Sequence, residues 1–81
     1  MENQPIQNPI LSNHFYIREA CKEAGSLVSE GYVIRCKWYE PKLKVVMYTL
    51  KHMKNRNVMT IYATEKGLMI KKNSKVVKRI P

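Results

Sequence analysis

Residues 31–39 read Gly-Tyr-Val-Ile-Arg-Cys-Lys-Trp-Tyr, and their polarity alternates from one residue to the next. Successive side chains of a β-strand point to opposite faces, so this alternation predicts a strand with two unlike faces. One predicted face is apolar and comprises Tyr32, Ile34, Cys36 and Trp38. The other is mainly basic and comprises Val33, Arg35, Lys37 and Tyr39. The apolar face must pack against another element that shields it from water, and the basic face suits water or an anionic partner.

A helix upstream of this strand is the predicted cover. Apolar residues of the segment 12–29 recur at helical spacing and form one stripe, made of Ile17, Ala20, Cys21, Ala24, Leu27 and Val28. Ser12 or Asn13 suits the helix start, and Gly31 suits its end. The polar segment 1–11, with Pro5 and Pro9, predicts an irregular N-terminal arm ahead of a single domain over 12–81.

After residue 39, short apolar runs alternate with turn residues. The runs predict strands at 43–53, 58–64, 68–72 and 75–80. Residues 43–53 also fit a helix, but Val45, Val46, Tyr48 and Thr49 favour a strand. Short connections join antiparallel neighbours. The sequence therefore predicts an α+β fold, with one N-terminal helix packed on a four- to five-stranded antiparallel β-meander.

An uninterrupted alternation assigns each strand residue to one face of this sheet. The face under the helix is predicted to carry Ile34, Cys36, Trp38, Leu43, Val45, Met47, Met59, Ile61, Leu68 and Ile70. The opposite face is predicted to carry Val33, Arg35, Lys37, Tyr39, Lys44, Val46, Tyr48, Leu50, His52, Thr60, Tyr62 and Lys71.

Charge is distributed unevenly along the chain. The net charge is +9, and thirteen of the fifteen Lys and Arg residues follow residue 30, together with only two of the six Glu residues. A basic region of this kind indicates an anionic partner: nucleic acid first, then an acidic protein surface, then anionic lipid.

Signals for catalysis and for metal binding are weak. The chain has no Asp, and its candidate metal ligands His14, Cys21, Cys36 and His52 match no zinc spacing. We therefore predict no enzyme, no metal and no cofactor, with both cysteines as buried, reduced thiols. The start lacks a signal peptide and no apolar run reaches the ~20 residues of a membrane span, which predicts a cytoplasmic protein without a membrane partner.

The sequence thus predicts a small nucleic-acid-binding accessory or regulatory protein, of a size and composition that suit a phage or mobile element. Cations would contact phosphates and tyrosines would stack on bases. The predicted contact residues are Arg35, Lys37, Tyr39, Lys44, Tyr48, Lys54, Arg56, Tyr62, Lys71 and Lys72.

Two alternatives stay open. The first is an interaction protein or inhibitor that docks its basic sheet face on an acidic protein partner, and a homodimer would use the same residues. The second is a ribonuclease-type toxin with His52 as general base. The sequence does not choose between DNA and RNA or between single and double strands.

Overall fold

A computed structural model of the protein describes residues 15–81. Helix α1 is followed by five strands, with the bounds α1 Phe15–Ser29, β1 Tyr32–Glu40, β2 Val45–His52, β3 Val58–Ala63, β4 Leu68–Lys72 and β5 Lys75–Ile80. The strands form one antiparallel sheet in the order β1-β2-β3-β4-β5, and α1 packs on it. The predicted α+β class is confirmed, as is the strand within 43–53. The predicted arm 1–11, both candidate cap residues and His14 lie outside the described residues.

Backbone conformation at two turns follows directly from the sequence. Asn73 and Ser74 have φ values of 51° and 73°, which is the two-residue hairpin turn with both central residues at positive φ. Gly31 has φ 104°, and a Cβ there would lie 2.9 Å from His52 Nε2. Glycine is therefore required where the chain leaves α1 and enters β1.

The core lies between α1 and the middle of the sheet. Ile17, Ala20 and Ala24 are buried, and the two alanines allow the helix backbone to approach the strands closely. The sheet contributes its buried residues Tyr32, Val46, Tyr48, Leu50, Met59, Ile61, Ala63, Leu68 and Ile70. The predicted helix stripe is confirmed except at Val28, which is 45% exposed. We call the sheet side against α1 the covered face and the opposite side the open face.

The predicted faces of β3 and β4 are confirmed, whereas that of β2 is wrong. Tyr48 pairs with Ile61 and Leu50 with Met59, so these residues share the covered face. Val45 and Met47 therefore lie on the open face. Both sides of β2 are apolar, so alternation alone could not orient it. The covered face takes the set Val46, Tyr48 and Leu50, which packs with the buried residues of β3.

A β-bulge reverses the alternation of β1. The pairing with β2 shifts between Ile34 and Cys36, which leaves Arg35 without a partner. An extra residue of this kind sends every later side chain to the other face. Cys36 and Trp38 consequently lie on the open face, opposite to the prediction.

These reversals change the environment of several residues. Trp38 is 44% exposed, so its predicted burial in the core is wrong. Cys36 is exposed as well, so the prediction of two buried thiols is wrong. Leu43 is 68% exposed and lies in the β1–β2 connection instead of a strand, beside Lys44 at φ 54°.

The face assignment predicts that two large-to-small substitutions, one in the core and one on the open face, lower the stability by different amounts. Ile61→Ala removes a fully buried side chain from the centre of the sheet and should lower the free energy of unfolding by about 2–5 kcal/mol. Trp38→Ala should lower it by only about 1 kcal/mol, because Trp38 is 44% exposed and lies outside the core. Urea unfolding followed by far-ultraviolet circular dichroism measures both. A Trp38→Ala variant as unstable as Ile61→Ala would contradict the bulge.

Candidate functional site

One row of directly paired residues crosses the whole open face. It runs through all five strands in register and consists of Trp38, Met47, Tyr62, Met69 and Arg79. We call it the aromatic row. Trp38 is 44% exposed and Tyr62 is 38% exposed. The Arg79 guanidinium lies over the neighbouring Met69, with Nη2 3.5 Å from Sδ. The row therefore presents two flat rings and one cation to solvent.

Shallow depressions lie on both sides of this row. One has a volume of about 270 Å³, is floored by Met47, Tyr62 and Met69, and is bordered by Lys71. The other, of about 370 Å³, shares Tyr62 and Met69 and extends to Arg79 at the sheet edge. An apolar floor bordered by cations can hold a flat, partly apolar group that carries negative charge.

The charged side chains of the open face are mainly cations. Pairing places Lys51, Lys71 and Arg79 on it. Among residues 15–81, Glu40 at the end of β1 is the carboxylate that pairing puts on this side. Its Oε2 accepts a hydrogen bond from the Lys42 backbone N–H at 3.1 Å, so it is directed to its own hairpin.

The residues that the sequence singled out fall into three groups. Tyr62 and Lys71 lie on the open face as predicted. Lys54, Arg56 and Lys72 are exposed near the end of the sheet that carries the β2–β3 and β4–β5 connections, with Lys72 on the covered side beside Met59. Arg35 is exposed at the bulge. The expected open-face positions of the others are wrong, because register or turn geometry places them elsewhere: Lys37, Tyr39, Lys44 and Tyr48.

Tyr48 is part of the core. It is 4% exposed, and a hydrogen bond of 3.0 Å joins its hydroxyl to Cys21 Sγ. Burial, reinforced by Cys21, raises the pKa of Tyr48 well above its usual value, so the phenol stays neutral. Lys37 Nζ lies 5.7 Å from the centre of the same ring, a cation–π contact. Tyr48 therefore has no ring face available for a base.

His52 fastens the β2–β3 connection to the end of α1. Its Nδ1 accepts a hydrogen bond from the Lys54 backbone N–H at 3.0 Å, which leaves Nε2 to donate to the Glu30 carbonyl oxygen at 3.1 Å. Its ring also packs edge-on against Tyr32, at 4.8 Å between centroids. His52 lies on the covered side, opposite to the prediction, and both ring nitrogens are engaged. In this arrangement neither nitrogen is free to act as a general base.

Five contributors to the candidate site were missed by the sequence reasoning: Trp38, Met47, Lys51, Met69 and Arg79. For Met69 and Arg79 a signal was present, since simple alternation in β4 and β5 already places them on the other face from Leu68 and Ile80. Trp38, Met47 and Lys51 carried no such signal, because the bulge decides the position of Trp38 and the apolar character of both β2 faces left the orientation of Met47 and Lys51 open.

Within residues 15–81, no three or more His, Cys, Asp and Glu side chains lie together in a group that could hold a metal ion. In the same part of the chain, no helix combines the length and apolar character needed to cross a membrane.

Comparisons with family models, with curated proteins and with solved structures each returned no match.

The two cysteines should differ in reactivity. Cys36 is exposed on the open face, whereas Cys21 is half-buried and hydrogen-bonded to the Tyr48 hydroxyl. A thiol reagent should modify Cys36 quickly in the folded protein and Cys21 only slowly or after unfolding. Mass spectrometry of the labelled chain, with Cys36→Ser as the control, measures this difference. Equal labelling rates, or faster labelling of Cys21, would contradict the assigned faces.

Proposed function

We propose that this protein binds single-stranded nucleic acid on the open face of its sheet. The observation that carries the proposal is the exposure of Trp38 and Tyr62 on the open face, which no element within residues 15–81 covers and which also bears Lys51, Lys71 and Arg79. Aromatic rings stack on bases of any sequence, and cations neutralise phosphates.

The spacing of the two rings suits this role. Trp38 is on β1 and Tyr62 on β3, with Met47 of β2 between them. Neighbouring strands are about 4.8 Å apart, so the backbones that carry the two rings are about 10 Å apart. That separation lets two different bases of one flexible strand each contact a ring, while the Met47 thioether supports the stretch between them.

Charge supports an anionic ligand on this side. The helix residues Glu19 and Glu23 lie on the opposite side of the sheet, where they pair with Lys22 and Lys78. The open face therefore keeps its positive charge largely uncompensated, which favours the approach of a polyanion.

Single strands fit better than a duplex. Stacking on Trp38 and Tyr62 requires exposed base faces, and a duplex keeps its base faces stacked inside. A strand without secondary structure offers both its bases and its phosphates to the same surface.

A protein partner is the second candidate, and one observation favours it. The aromatic row combines Trp, Met, Tyr and Arg, which are the residue types enriched at the centres of protein interfaces. A second copy of the chain or an acidic protein would then cover the same surface.

Substitution of the two rings tests the proposal. Trp38→Ala and Tyr62→Ala should each weaken binding of a short single strand by about 1–3 kcal/mol, or about 5- to 150-fold, because stacking is lost. Fluorescence anisotropy of a labelled oligonucleotide measures the dissociation constant. Phe15→Ala is the matched control, since Phe15 is an aromatic residue 53% exposed on the helix.

Charge substitutions and sedimentation separate the two candidates. Lys71→Gln should reduce the slope of log K against log salt by about 0.7, because one phosphate contact is lost. Ring variants that bind oligonucleotides like the parent protein, and that change its sedimentation mass or its binding to a protein, would contradict the proposal in favour of a protein interface.

A further inference from the structure

A second cluster of cations lies beyond the open face, at one end of the sheet. The β2–β3 connection and the β4–β5 turn both emerge at this end. Together with the strand residues that flank the turn they carry four exposed cations, Lys54, Arg56, Lys72 and Lys75. We call this cluster the cationic rim. Neither connection contains an acidic residue.

The two connections of the rim are held together by asparagine side chains. Asn73 Oδ1 accepts a hydrogen bond from the Val58 N–H, and Asn73 N–H donates to the Val58 carbonyl oxygen, both at 2.8 Å. Asn73 Nδ2 donates to Asn57 Oδ1 at 3.2 Å. Within the β2–β3 connection, the Asn57 N–H donates to Asn55 Oδ1 at 2.8 Å. The backbones that carry the four cations are thus fixed relative to one another.

The same connection is also attached to the rest of the fold. The Met53 N–H donates to the Gly31 carbonyl oxygen at 3.0 Å, and His52 bonds to the Glu30 carbonyl and to the Lys54 N–H. A site ordered before binding loses little conformational entropy when its ligand arrives. The rim is therefore preorganised at the backbone level.

Among the four rim cations, Lys72 and Lys75 are directly paired across β4 and β5, so their like charges repel each other. Among residues 15–81, none of them forms an ion pair, and the ion pairs of Lys22 and Lys78 lie on the helix side. An anion with several charges would relieve this repulsion.

Cations of the open face lead from the aromatic row towards the β2–β3 connection of the rim. Lys51 and Lys71 lie on the open face between the row and this connection, which carries Lys54 and Arg56. Lys72 pairs with Met59 and with Lys75, so these two lysines lie on the covered side and the rim spans both sides of the sheet end. Tyr62 of the row and Val58 at the rim are four residues apart on β3, about 13 Å. A nucleic-acid single strand whose bases stack on the aromatic row can therefore continue over the rim.

We propose that the cationic rim binds the phosphates of a single strand that extends past the open face, and so lengthens the site. This inference rests on the proposed function. It predicts that long strands bind more tightly and with a steeper salt dependence than short ones, because the additional phosphates reach the rim.

The test compares short oligonucleotides of about four nucleotides with long ones of about twelve, both within the range of known single-strand site sizes. The double variant Lys54→Gln/Arg56→Gln should weaken long-strand binding at least fivefold and reduce its salt slope by about 1.4, or two phosphate contacts. Short-strand binding should remain within twofold of the parent. The matched control is Lys22→Gln/Lys42→Gln, which removes two exposed cations away from the rim and the row.

Two results would overturn the rim proposal: long-strand affinity of the rim variant equal to that of the control, or an equal loss for short and long strands. Failure of the proposed function appears separately, as short-strand binding by the parent that is absent or insensitive to Trp38→Ala. Circular dichroism of each variant shows that the fold is retained.

Discussion

The packing of one helix on one face of a five-stranded sheet determines the rest of this structure. Ile17, Ala20 and Ala24 lie against the centre of the sheet, and this contact selects which side of β2, β3 and β4 is buried. Because a strand alternates its faces strictly, that choice also fixes which side chains face away from the helix. A single helix covers only one face, so the described chain leaves its second face in solvent, and the candidate site is there.

The bulge at Arg35 determines the character of that second face. Without the extra residue, Lys37 and Tyr39 would share the open face with Tyr62, and Trp38 would lie on the side of α1. With it, Trp38 joins Met47, Tyr62 and Met69 in one row, and Lys37 lies on the covered side, while Lys51, Lys71 and Arg79 remain around the row. The open face consequently has an apolar, aromatic centre with a basic border. This arrangement suits the proposed ligand, which has flat bases and a charged backbone.

Much of the fold could be predicted from the sequence because most local signals agree. The helix stripe, the required glycine at residue 31, the Asn73–Ser74 turn and the alternation of β3 and β4 all indicate the same architecture. The orientation of β2 could not be predicted, since Val45 and Met47 are as apolar as Val46 and Leu50. The bulge could not be predicted either. The polarity of residues 32–39 alternates without a break, so the sequence does not show that Arg35 has no partner in β2. For this reason the open-face positions of Tyr62 and Lys71 were predicted correctly, whereas Tyr48 and Trp38 were each assigned to the wrong face.

The central claim is that Trp38, the only tryptophan, stands on the open face and contacts a single strand there. Its intrinsic fluorescence during titration with a short oligonucleotide tests this claim most directly. The account predicts that acrylamide quenches Trp38 readily in the free, folded protein. It also predicts that the oligonucleotide lowers the emission and protects Trp38 from acrylamide over the concentrations at which binding occurs. Emission typical of a buried indole in the free protein, or emission unchanged by a strand that binds, would contradict it.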